Sequence, residues 1–429
     1  MNKRIAVIGG VLAVSALTLV GCSGEPASTD GESGDVTLSV SGWTLATTPE
    51  FQALADGFEE LHPEVTVDLK EYDSAEYDTL ITADLAAGVG PDIITQKGVA
   101  YVSTYQEGGQ LMDLSDVEMP EGINGTEAYE IDGSTYGVPY RQDSFLLFYN
   151  KDLFDEAGVD YPDGTWTWDD YDEAAAELSE GLDGADGTYL HRWQSTVQGF
   201  ANSQTPGADI LSGDYKYFAP YYERALALQD AGYQADFNTS TANQLTYQGQ
   251  FGTQQAAMLP MGSWFVATLV SQQAAGEADD FEWGIAPVPQ YDSSTTGLDA
   301  VPLSFGDPTG FAINANTPDA KVQAAKDFVE YAASEAGAIE LAQIGITPAL
   351  LSEEVVETYF SVDGVPADDL SVFAFSTHDT ALENPATSNT AAVQGILYDM
   401  HTAIMSGSQS VDAAIAEAES RVANEVDLG

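Results

Sequence analysis

Tyr136-Gly137-Val138-Pro139-Tyr140-Arg141-Gln142-Asp143-Ser144-Phe145-Leu146-Leu147-Phe148-Tyr149-Asn150-Lys151 is the stretch whose reading decides the fold. Gly137-Val138-Pro139 reads as a turn element. Arg141 and Asp143 then place opposite charges side by side, and residues 145–149 form an apolar, aromatic-rich run expected to be a buried strand. Two readings are open locally: a surface turn ahead of a core strand, or a polar crossing between two packed units. The sequence on either side favours the second.

Working outward to the N-terminus, Lys3 and Arg4 precede the apolar residues 5–20, and Leu19-Val20-Gly21-Cys22 follows. This is the layout of a signal peptide, expected over residues 1–21. Its cleavage site resembles a bacterial lipobox, whose cysteine takes diacylglycerol and becomes the new N-terminus. Cys22 is the single cysteine of the 429 residues, so disulfides, thiolate metal sites and a cysteine nucleophile are not expected in the mature fold. The stretch that follows is Ser, Gly, Glu and Asp with almost nothing apolar, so residues 22–35 are expected to form a disordered tether. No other stretch approaches the ~20 apolar residues of a membrane span, and lipid is the expected membrane contact.

Composition bounds the partners. Twelve basic residues face 69 acidic ones, for a formal charge of −57. Nucleic acid is not an expected partner of such a chain. The chain is nevertheless 44% hydrophobic and 10% aromatic, a globular composition. The acidity reads as a solubility or salt-tolerance surface. The roughly 395 residues after the tether exceed what one core serves, and two domains fit.

Residues 36–40 alternate as a strand. A helix follows, with Thr47 or Thr48 as its cap and Pro49 early in its first turn, and with Phe51, Leu54, Ala55, Phe58 and Leu61 on one face at helical spacing. Val65, Val67 and Leu69 mark a second strand, Tyr77, Leu80, Ile81 and Leu85 a second helix, and residues 92–94 a third strand. This β-α-β-α-β order predicts an α/β unit with a largely parallel sheet. Beyond the opening stretch, residues 171–230 are expected to be mainly helical, with a plain turn over residues 181–187. Residues 255–260, 283–289 and 310–314 read as strands, and 304–308 as a Gly/Asp loop.

Enzyme signatures are absent: no His-Glu-x-x-His, no Gly-x-Ser-x-Gly, no phosphate-binding glycine loop. His62, His191, His378 and His401 lack ligand spacing, and Asp183 and Asp186 lack the acidic pattern of a calcium loop. What stands out is tryptophan in polar loops after strands (Trp43, Trp193, Trp264) near scarce charges (Lys97, Arg141, Asp143, Arg192). A sugar offers an apolar C–H face and a rim of hydroxyls, which suits a flat ring beside charged hydrogen-bonding groups.

Ordered motifs then carry a family resemblance along nearly the whole mature chain. They are Gly90-Pro91-Asp92-Ile93-Ile94, Tyr136-Gly137-Val138-Pro139 with Tyr149-Asn150-Lys151-Asp152-Leu153, and Thr167-Trp168-Asp169-Asp170. Met258-to-Trp264, Phe311-Ala312-Ile313 with Ala325-Lys326-Asp327-Phe328, and Gly345-Ile346-Thr347-Pro348 complete the order. The chain resembles the extracellular solute-binding proteins of sugar ABC transporters, the maltodextrin-binding class. The resemblance implies a periplasmic-binding-protein-like α/β fold: lobe 1 from residues 36–141 and 300–338, lobe 2 from 144–288 and 345–429. Hinge crossings are implied at 139–144, 288–305 and 338–347. It implies a lipid-anchored, non-enzymatic monomer on the extracellular face of the cell membrane, without cofactor or metal. Such a protein captures a carbohydrate, an oligosaccharide foremost, and passes it to permease subunits. The implied ligand contacts are Trp264, Asp143, Trp193, Trp43, Thr44, Gln96 and Lys97, with Arg141, Gly306 and Asp307 as further candidates. A lipid-anchored carbohydrate-active enzyme, a binder of another polar solute and an adhesive surface lipoprotein are the alternatives.

Overall fold

The computed structural model describes residues 36–427 apart from Thr47 and Ala75. The signal peptide, Cys22 and the tether lie outside the described residues.

In chain order the first lobe opens with β1 (Val36–Trp43), α1 (Glu50–Leu61), β2 (Val65–Tyr72), α2 (Tyr77–Ala87), β3 (Ile93–Gln96) and α3 (Val102–Glu107). A small hairpin, β4 (Glu130–Ile131) and β5 (Ser134–Thr135), leads into β6 (Val138–Gln142). The second lobe follows with β7 (Phe145–Asn150), α4 (Lys151–Ala157), α5 (Trp168–Gly181), β8 (Asp186–Thr188), α6 (Ser195–Gln204) and α7 (Ala219–Ala231). It continues through α8 (Phe237–Ala242), α9 (Tyr247–Gly252), β9 (Ala256–Gly262), α10 (Trp264–Ala275) and β10 (Trp283–Pro287). The rest is β11 (Leu303–Phe305), β12 (Pro308–Ile313), α11 (Asp319–Ala333), α12 (Glu335–Ala342), α13 (Glu353–Phe360), α14 (Asp369–Ser376), β13 (Asp379–Ala381), α15 (Thr390–Met405) and α16 (Val411–Glu425).

Two sheets organise these elements. One runs β2-β1-β3-β12-β6, the other β10-β7-β9-β8. In the first, β1 pairs in parallel with β2 from Val36↔Val65 to Trp43↔Tyr72, and β3 joins at Val40↔Ile93. The expected parallel β-α-β-α-β unit is therefore present, and β12 and β6 add antiparallel strands beside it. The core beneath joins Leu38, Val40, Phe51, Leu54 and Phe58 to Phe311 and Phe328. Asp92, just before β3, accepts from Ser39 N and Oγ and from Lys321 Nζ at 2.8–2.9 Å, so it ties β1, β3 and α11 together.

Four expectations need correcting. The stretch at Val138-Pro139 is an edge strand, β6, rather than a turn. An edge is where a residue without an N–H fits a sheet. The patch at 181–187 is not a plain turn: Asp186 and Thr188 pair in parallel with β9. Gly187 is required there by packing, since a Cβ would lie 2.0 Å from the Ala175 carbonyl oxygen. The expected loop at 304–308 instead holds the end of β11 and the start of β12. Finally, Pro49 rather than Thr48 stands at the cap of α1, and no side chain bonds to its first turn among the described residues, which exclude Thr47.

Polypeptide passes between the sheets at Asp143-Ser144, again between β10 and β12, and again between α12 and α13. These passages touch: Arg141 bridges Pro348, and the Thr347 carbonyl accepts from Gln142 N at 3.3 Å. The buried face of α12 is shared, with Leu341 in the first-lobe core and Ala338 and Ala342 in the second.

Candidate functional site

The charges of the decisive stretch are not loose. Arg141 Nη1 donates to Glu50 Oε1 at 2.7 Å and its Nε to Asp143 Oδ2 at 2.5 Å. Glu50 opens α1 in the first lobe and is 1% exposed. The chain continues into the second lobe, where Ser263 Oγ donates to Asp143 Oδ1 at 2.7 Å and meets Thr347 Oγ1 at 2.9 Å. Burial pushes the Glu50 carboxyl above its ordinary range, with Arg141 pulling the other way. Burial also opposes the Arg141 charge, but the Asp143 and Glu50 carboxylates more than restore it, so that its pKa ends above the ordinary arginine value. A guanidinium suits this place because it stays charged and offers several fixed donors. Tyr140 Oη adds a 3.3 Å contact to Glu50.

Trp264 follows Ser263 directly and begins α10. Its ring lies back over Gly262 and meets Phe145 edge-on at 5.6 Å. Trp193, 38% exposed, stands 6.3 Å from Trp264 and 5.7 Å from Tyr247. His191 packs edge-on to Trp193 at 4.4 Å, and burial lowers its pKa to about 4, so the ring is neutral. Two tryptophans predicted from sequence thus meet in one group, joined by Tyr247, which sequence reading passed over. Tyr247 also lies within electrostatic reach of Arg141 and Asp143.

A polar chain closes the other flank. Gln194, beside Trp193, donates to Gln394 on α15, and Gln394 donates to Asn384 Oδ1 at 2.7 Å. Asn384 in turn donates to Asp307 through its backbone N at 3.0 Å and its side-chain amide at 2.6 Å. Burial raises the Asp307 carboxyl to about 6, against these donors. Burial and then the Asp307 charge raise the neighbouring Glu383 to about 8. Gly306 sits where crossings touch, since a Cβ would lie 2.2 Å from the Asp143 carbonyl oxygen.

In the first lobe, Trp43 is wedged edge-on between Phe51 (5.0 Å) and Tyr77 (5.2 Å), with Lys97 Nζ 5.1 Å from its ring centroid. Lys97 is held by Ser74, through the carbonyl and, at 2.9 Å, the hydroxyl. Burial lowers its pKa, with Asp78 and Asp73 opposing. Thr44 has φ 47°, in the left-handed region, which turns the chain after β1. Gln96 is 1% exposed, and its amide nitrogen and oxygen have no hydrogen-bond partner among the described residues. Trp43 touches Phe51, which follows Glu50 in sequence. Glu50, Tyr247, Glu383, Asn384 and Gln394 escaped sequence reading. Glu50 alone left a signal, as an acid at the start of a helix directly after the Trp43 loop.

Two α/β lobes, three passages of chain between them and an aromatic group beside an ion-pair chain define a two-lobed binding-protein fold. Residues 43–339 match the family of bacterial extracellular solute-binding proteins, and the chain belongs to it. It is 32% identical to a Rhizobium etli sugar transporter solved in an open conformation, over 91% of this chain and 99% of that one, with a TM-score of 0.78. It is 24% identical to the maltodextrin-binding protein MdxE of Bacillus subtilis over 359 residues, 79% of this chain and 78% of that one. The GacH receptor of Streptomyces glaucescens has the same fold, with 22% identity, a TM-score of 0.70, and coverage of 90% and 97%.

Proposed function

We propose that this protein is the substrate-binding component of an ABC importer and captures a carbohydrate, an oligosaccharide foremost, between its lobes. The observation that carries this reading is the Trp193–Trp264–Tyr247 group next to the Asp143–Arg141 pair, beside the passage between the sheets. Flat rings take the apolar sugar face, and charged groups take hydroxyls. Trp264 and Asp143 are the principal contacts in this reading. Trp193, Trp43, Thr44, Gln96, Lys97 and Asp307 complete the cleft, while Gly306 and Arg141 shape it.

The lobes, 36–141 with 300–338 and 144–288 with 345–429, close about the crossings at 139–144, 288–305 and 338–347. The closed form is what the permease reads. The protein acts as a monomer held outside the membrane by lipid on Cys22, and it returns its ligand unchanged. A thermal-shift screen over mono- and oligosaccharides, polyols and amino compounds tests the proposal, with product analysis of every hit. A set of carbohydrates that leaves the melting temperature unmoved at millimolar concentration overturns it, and a chemically altered hit makes the protein an enzyme.

A further inference from the structure

A cavity of about 430 Å³ opens between the lobes beside the crossings. Its lining includes Asn124, Gln142, Ser144, Ser263, Thr347 and Thr380, and none of the tryptophans. Successive side chains of an extended chain point to opposite faces. Gln142 and Ser144 line this cavity, while Arg141 and Asp143 join the ion-pair chain instead. The cavity is therefore bounded by the crossing residues that alternate with the ion pair, and neither Trp193, Trp264 nor Tyr247 lines it.

Its volume falls within the range of small-molecule sites, ~300–1,000 Å³, well above the ~30 Å³ of one water. Neutral donors and acceptors alternate with the apolar side chains of Leu146 and Phe375. His378 lines it as well, and its Nδ1 donates to the Ala374 carbonyl at 2.9 Å, which leaves Nε2 as an acceptor. Glu127 and Asp379 are the lining carboxylates and disfavour an anion. No group of three metal-ligating side chains occurs among the described residues.

We propose that this cavity is a second binding site, separate from the cleft of the proposed function, for a neutral polyhydroxylated solute of monosaccharide size. Ser263 connects the two, because it lines the cavity and its hydroxyl donates to Asp143. Both lobes contribute walls, so an occupant touches each.

The test titrates myo-inositol into the full mature chain by calorimetry, up to 100 mM on the order of a weak site's Kd. Three proteins are compared: wild type, Trp264→Ala and Ser376→Trp, the last placing an indole in the cavity from an exposed wall residue. The expected result is binding that Trp264→Ala keeps within about twofold and Ser376→Trp weakens at least tenfold. Asn124→Trp, from the opposite wall, repeats the block if Ser376→Trp melts early. Binding lost with Trp264→Ala but kept in both filled variants assigns the solute to the cleft and overturns the proposal, as does no heat with wild type. The cleft reading stands or falls separately, on whether any carbohydrate of the thermal-shift screen raises the melting temperature of the wild type.

Discussion

Arg141 Nη1 lies 2.7 Å from Glu50 Oε1, and this pair fastens the first turn of α1 to the strand that leads into the second lobe. An arginine is scarce in a chain with twelve basic residues, and here it neutralises two carboxylates at once. Removing it strands Glu50, 1% exposed, without its partner. Arg141→Ala is therefore expected to destabilise the protein by ~3–5 kcal/mol, the usual cost of breaking a buried pair. Arg141→Met with Glu50→Gln should recover most of that. Urea unfolding of the two variants decides the matter, and an Arg141→Ala midpoint equal to wild type sinks the account.

Trp264 meets Phe145 edge-on and Trp193 at 6.3 Å, but its side chain is only partly buried. Trp264→Ala should weaken binding of the solute found by thermal shift by about 2 kcal/mol, roughly thirtyfold. Trp264→Phe, which keeps a ring, should recover part of it. Calorimetric titration reads both, and an unchanged affinity in Trp264→Ala removes this residue from the site.

How much of this was legible depends on the range of the interaction. The apolar face of α1 and the buried run of β7 were readable because each obeys a local period. Trp193 and Trp264 were readable as tryptophans in polar loops. The strand at Val138–Gln142 was not, because Gly137 and Pro139 imitate a turn until β12 supplies a partner. Nor was the role of Arg141, since Glu50 is 91 positions away, or the Gln194–Gln394 contact, 200 positions apart. Those pairs are set by tertiary packing and leave no spacing to read.

Glu383 and Asp307 set a pH dependence. Their carboxyls stand at about 8 and about 6 in the fold, above the ~4 of an unfolded chain. Groups raised in this way contribute stability that is fully present below the unfolded pKa and is lost as pH rises through the folded one. Stability should therefore decline between about pH 4 and 8 on their account. His191 and His401, held neutral by burial at about 4, act in the opposite sense and lose stability as pH falls below ~6.5. Glu383→Gln removes the larger share of the first effect and leaves Asp307 and the histidines titrating. Its melting temperature should exceed wild type at pH 8 and approach it at pH 5. A constant difference between the two proteins across that range would refute the shared burial of this pair.

Gly306 fixes where one crossing lies on another. Its N–H donates to Ala381 O at 3.0 Å, its carbonyl receives the Gln142 amide at 3.4 Å, and its α-carbon faces the Asp143 carbonyl. A methyl group there would lie 2.2 Å from that oxygen, and the obstacle is backbone rather than a side chain that can turn away. Gly306→Ala must then displace Asp143 from Arg141 and Ser263, or break the Ala381 hydrogen bond. Overpacking of this kind costs ~1–3 kcal/mol. Because the displaced residue is Asp143, affinity for the bound solute should fall along with the urea midpoint. A loss of stability with full affinity would mean that Asp143 does not face the ligand, and normal values for both would mean that the crossings move apart freely.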